Sequence, residues 1–278
     1  MPRVKFIVVF FIVALLAACA SDDEKKAAHF DKGTAYFEAG EFKKARLEFK
    51  NAVQLDPSFV DAQLQLAQTE IELGNAREAY QAYLRVGEIA PDNLEAQVML
   101  AKFLLLGKKH DEASQKIAAI LEKEPENTEA LLLEAELENL QGRPEDAIAT
   151  FRQVVAVDDK NSKGYRGLAR MLARNGQVEE AREVLEQAAG RIPDDSRLQL
   201  ELAALYSGQK EFDLAEKALE AAVALEPDKP DLYITLGNFY DGTGRTVDAE
   251  TVYRRAVETA PDASRPRLVL AAFYRRHG

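Results

Sequence analysis

Lys163, Arg166, Arg170 and Arg174 recur at intervals of three and four residues, the spacing that sets side chains on one face of a helix. Arginine forks bind carboxylates and other anions through paired hydrogen bonds, so such a face can recognise an acidic group on a partner. Arg197 follows downstream and is expected to add a fifth cation. The competing reading is a solvated charge mosaic, in which Glu129 and Glu136 pair with these cations to little effect.

Catalytic chemistry has few candidates. His29, His110 and His277 lie far apart and share no spacing with carboxylates or the lone cysteine that would build a metal site or a triad. "DGTGRT", Asp241 to Thr246, has two close glycines but no Lys-Ser/Thr after them, so it lacks the parts of a phosphate loop. Glu179 and Glu180 are first-turn acids, favoured by the helix dipole. The expectation is a non-enzymatic protein with no cofactor, no metal and no small-molecule substrate.

Cys19 is the one thiol, which rules out an intrachain disulfide. Arg3 and Lys5 precede an unbroken apolar run from Phe6 to Ala18. A bilayer-spanning helix needs roughly 20 such residues and an export signal about 7 to 15, so the run fits export. "LAAC", Leu16 to Cys19, resembles the lipobox of bacterial lipoproteins. That resemblance implies a signal peptide over residues 1–18, lipid on the Cys19 sulfur and a short tether over 19–25. With Ala20 at the second mature position, it also implies sorting to the outer membrane, facing the periplasm, with the inner membrane as the lesser alternative. Two other outcomes remain open: ordinary cleavage after Ala20, releasing a soluble protein, and an uncleaved anchor helix, for which the run is short.

The chain has 36 Lys plus Arg against 47 Asp plus Glu. Removal of Arg3 and Lys5 leaves 34 basic residues, a formal charge of −13 for the exported part. Such a balance opposes the phosphate neutralisation that nucleic-acid binding needs, and an anionic membrane surface repels it. Membrane attachment therefore falls to lipid chains on Cys19.

The elements that position these residues repeat every 34 residues. Prolines stand at 57, 91, 125, 193, 227 and 261, with Asp159 in the one vacant slot. Alanines stand twelve residues earlier in every case, at 45, 79, 113, 147, 181, 215 and 249. Within each unit the apolar period is helical, giving helix, glycine turn, helix and proline stop. Gly40, Gly74, Gly142, Gly176 and Gly244 mark the turn; Lys108 and Lys210 replace glycine in two units, where the turn is expected to shift onto Gly107 or Gly208. Units fall at 26–59, 60–93, 94–127, 128–161, 162–195, 196–229 and 230–263, and 264–278 reads as the first helix of an incomplete eighth.

This pattern resembles the tetratricopeptide repeat, best seen in Leu236, Gly237, Tyr240, Gly244, Ala249, Tyr253, Ala256 and Pro261. The fold expected is an all-α, right-handed solenoid of helical hairpins, because no unit can bury its apolar stripe alone. His29 and Lys32 depart from the motif as suits a first helix facing water. "LVLAAFY", Leu268 to Tyr274, is apolar for an end helix, so the array is expected to continue or to dock there.

In that family the first helices line a concave groove that takes peptides. The fifth position of each unit reads Phe30, Leu64, Val98, Leu132, Arg166, Leu200, Ile234, Leu268. Leu64, Val98 and Leu132 therefore join the cations as groove candidates, against the alternative that they complete packing. The partner implied is a protein or peptide with an acidic or carboxylate feature. Overall, "YFEAGEFKKARLEFKNAVQLDP", Tyr36 to Pro57, behind a lipobox resembles the lipoproteins that accompany exopolysaccharide export and PEP-CTERM protein sorting. A pilus-assembly lipoprotein serving a secretin, the adaptor part of a longer enzyme, and a soluble periplasmic chaperone are the alternatives.

Overall fold

The structure, a computed structural model, describes residues 21–277. Cys19 and the lipobox lie outside the described residues. Among those described, every element is helical, and the fold divides after Pro125 into two compact units.

The first unit holds three hairpins: α1 (Asp22–Glu38) with α2 (Phe42–Leu55), α3 (Val60–Glu72) with α4 (Ala76–Ile89), and α5 (Leu94–Leu106) with α6 (His110–Lys123). The second holds four more and a last helix: α7 (Thr128–Leu140) with α8 (Pro144–Val157), α9 (Ser162–Arg174) with α10 (Val178–Arg191), α11 (Ser196–Gly208) with α12 (Phe212–Leu225), α13 (Pro230–Gly242) with α14 (Thr246–Thr259), then α15 (Ser264–His277). Each is an α-solenoid stack in which a hairpin packs on its neighbour.

Several first helices start where the sequence supplies a cap. Asn93, Asn127 and Asn161 accept hydrogen bonds from the backbone N–H of Ala96, Ala130 and Gly164, which satisfies donors left free in a first turn. All seven slot alanines are fully buried, since anything larger would part the two helices of the hairpin. Four residues further along the same second helix stands a bulky residue, such as Phe49, Tyr83 or Tyr253, that packs against a small residue of the first helix.

One expectation needs correcting at the turns. Lys108 and Lys210 themselves adopt left-handed backbone, φ 58° and 63°, and the turn does not move to Gly107 or Gly208. The reason is a hydrogen-bond pattern shared by all seven hairpins. Lys108 N–H donates to Leu105 O at 2.9 Å and Lys109 N–H to Leu104 O at 2.9 Å, as Gly40 and Glu41 do to Phe37 and Tyr36. That paired closure fixes which residue turns left-handed, and shifting it would break the 34-residue register of the following helix. A side chain there costs roughly 1–2 kcal/mol. Lys108→Gly and Lys210→Gly are each expected to stabilise their own unit by about 1 kcal/mol, read as a raised urea midpoint; an unchanged or lowered midpoint in both would contradict this.

The first helix begins at Asp22, inside the span 19–25 read as a tether. Ser21 Oγ accepts from Glu24 N–H while Glu24 accepts from Ser21 N–H, a capping box, and Asp22, Asp23 and Glu24 sit at the positive end of the helix dipole. At the other end, α15 is held by Phe273 against Tyr253 (ring centroids 5.3 Å) and by Arg265 on Asp231 (2.9 Å), with Leu268 left 68% exposed.

Candidate partner-binding site

Helix α9 is split lengthwise by its own sequence. Tyr165, Leu168, Ala169 and Leu172 are buried against the neighbouring helices, which turns Lys163, Arg166, Arg170 and Arg174 together to the other side. Those four cations line one cavity of about 360 Å³ with Leu132, Glu136 and Asn139 of α7, Phe151 of α8 and Gly167 and Met171 of α9. Four positive side chains thus face one carboxylate within the lining.

Glu201 of α11 organises two of them. Its Oε1 accepts from an Arg170 terminal nitrogen at 2.7 Å and lies 3.5 Å from Arg166 Nε, which is buried without a hydrogen bond of its own. Lys163 faces Glu129 at 3.9 Å, both well exposed, so that pair is screened and worth little. No carboxylate pairs with Arg174 among the described residues. The arrangement holds Arg166 and Arg170 in place while leaving Arg174 and Lys163 open to an incoming anion.

The structure thus brings four of the five cations together and leaves the fifth apart. Arg197 stands exposed at the start of α11 and does not line the cavity. Its backbone N–H donates to the Asp195 cap at 2.8 Å, and its charge helps hold the Glu226 carboxyl below the usual range, after Lys229 and Ser196. Glu201 went unnoticed in the sequence. It stands 31 residues after Arg170, so one step of the repeat register would have paired them. Glu136 lines the cavity without pairing with the cations, and Glu129 reaches only Lys163.

The apolar candidates separate too. Val98 is buried in its unit, 7% exposed. Leu64 is half-buried against the cluster of Ala67, Tyr83 and Leu100. Leu132, although 9% exposed, lines the cationic cavity. The histidines are scattered: His29 Nδ1 lies 2.6 Å from Glu48, His277 Nε2 lies 2.7 Å from Asp241, and His110 begins α6.

The sequence signature of the tetratricopeptide repeat matches residues 36–92, 74–137, 139–206 and 206–273. The chain belongs to the tetratricopeptide repeat family. Repeats of this kind make a scaffold for protein–protein interaction. A search of curated protein sequences gives no match. Among solved structures, the chain is similar to a tetratricopeptide repeat protein from Parabacteroides merdae, at 17% identity and TM-score 0.67 over 90% of this chain and 99% of that one. It is also similar to pilF of Pseudomonas aeruginosa, at 20% identity and TM-score 0.59 over 75% and 95%. A third likeness is to the Cut9–Hcn1 hetero-tetramer of the APC/C, at 15% identity and TM-score 0.61 over 87% and 48%. At these identities the likeness is one of fold. No helix among the described residues is long and apolar enough to cross a membrane.

Proposed function

We propose that this tetratricopeptide repeat protein is a non-enzymatic scaffold of the bacterial envelope, tethered by lipid at Cys19 to the periplasmic face of the outer membrane. It holds an acidic segment of a partner protein against the first helices of its second unit. By bringing that partner beside the membrane it assists assembly of an export, polysaccharide-secretion or protein-sorting machine. The observation that carries the binding reading is the cavity of Lys163, Arg166, Arg170 and Arg174, which gathers positive charge in a chain that is acidic overall. The address rests on the lipobox-like "LAAC" and the apolar run before it.

Metabolic labelling with palmitate tests the address. Wild type is expected to carry label and to sediment with membranes, and Cys19→Ser to lose both. An unlabelled wild-type protein beginning after Ala20 would instead make it the soluble chaperone. Assembly of a pilus secretin is a second process for the same scaffold, and the likeness to the pilF structure is compatible with it.

A further inference from the structure

The cationic cavity does not stand alone on its face of the second unit. A second cavity, about 510 Å³, lies between α9 and α11; it shares Arg170 and Arg174 with the first and is floored by Ala169, Ala173, Ala204 and Gly208. A third, about 440 Å³, lies between α11 and α13; it shares Ala204 with the second and is walled by Leu200, Phe212, Leu219 and Phe239. No charged residue lines the third. Phe212 remains 46% exposed although its ring lies 6.3 Å from that of Phe239. The three make one trough that carries the cations of α9 at one end, is lined in the middle by small residues together with Glu201, and is apolar at α11 and α13.

We infer that the partner's docking segment is bipartite: an extended stretch with an acidic group at one end and one bulky apolar side chain about six residues away. This rests on the proposed function, which supplies the acidic group, and adds the second anchor, the conformation and the spacing. Charge complementarity fixes the acidic end at Lys163, Arg170 and Arg174. The alanines and Gly208 of the middle cavity let a main chain lie close, where an added Cβ on Gly208 meets nothing within 4 Å. Successive cavities are one first helix apart, roughly 10 Å at ordinary helix spacing, so the two ends are roughly 20 Å apart. An extended chain covers that distance in about six residues at 3.3 Å each, whereas a helix needs about thirteen at 1.5 Å.

Fluorescence anisotropy with the full chain and synthetic peptides tests this. One peptide carries Asp-Asp-Glu alone, and others add a Phe three, six or thirteen residues from it. The spacing of six is expected to bind at least tenfold more tightly than the acidic peptide, with little gain at three or thirteen. Phe212→Ala, at a half-exposed position, is expected to erase that gain and to leave the acidic peptide's affinity unchanged, which also reports that the variant is folded. Equal binding of the acidic and bipartite peptides, a best spacing of thirteen, or a gain that survives Phe212→Ala would overturn the bipartite trough while leaving acidic recognition standing. Failure of every acidic peptide to bind better than a neutral one would overturn the proposed function beneath it.

Discussion

Replacing Arg170 and Arg174 together by Glu is expected to weaken capture of an acidic peptide by at least tenfold, with the helical content of the protein unchanged. Both arginines line the first two cavities and both are exposed, so the substitutions cost little packing. Each reversal also turns an attraction into a repulsion at the same place, where like charges facing a ligand cost several kcal/mol. Glu201→Gln provides the opposite sign. It removes the carboxylate that now occupies Arg170, so an acidic peptide is expected to bind a few-fold more tightly. Raising salt from 50 to 500 mM should shrink both effects, since the sites are open to solvent. Unaltered capture by the folded double variant would dismiss the cavity as a solvated charge mosaic.

The second large effect lies in the packing beneath the cavity. An added Cβ on Gly167 would stand 2.3 Å from Cε1 of the Phe151 ring and 2.5 Å from Cζ, far inside contact distance. Helix propensity alone favours alanine over glycine by about 1 kcal/mol. Overpacking against a buried ring costs about 1–3 kcal/mol, and Phe151, 6% exposed, relieves the clash only by shifting its ring toward the cationic cavity it lines. The clash outweighs the propensity gain. Gly167→Ala is therefore expected to destabilise the second unit by about 1–2 kcal/mol and to loosen α9 against α8. Combining it with Phe151→Leu should recover part of the loss, as a shared cause requires. A stabilised Gly167→Ala would show that the two repeats can separate at no cost and that α9 is not positioned by this contact.

The repeat was legible because its determinants are local. Seven alanines in phase report seven helix crossings, and the turn residue is fixed by two backbone hydrogen bonds that recur in each hairpin. Lys108 and Lys210 were misjudged for the same reason: a nearby glycine offers conformational freedom, but the closure of the hairpin decides where that freedom is needed. Ser21 and Glu24, three residues apart, carry a helix start in the sequence itself. The four cations were legible because they share one helix, where spacing is geometry. Arg197 was not, because its contribution depended on how one helix sits beside the next, and Glu201 was missed on the same ground. Burial of Val98 and partial burial of Leu64 likewise depend on the neighbouring repeat and are invisible in a one-dimensional stripe.

Photo-cross-linking in the intact envelope tests partner capture on this face most directly. A benzoylphenylalanine placed at Glu136, exposed in the cavity lining, is compared with one at Glu183, exposed on α10 away from it. The expected result is one protein adduct from position 136 alone, mapped by mass spectrometry to a segment bearing an acidic cluster and lost when Arg170 and Arg174 are reversed. Equal adducts from both positions, or an adduct from 136 that survives the reversal, would contradict it.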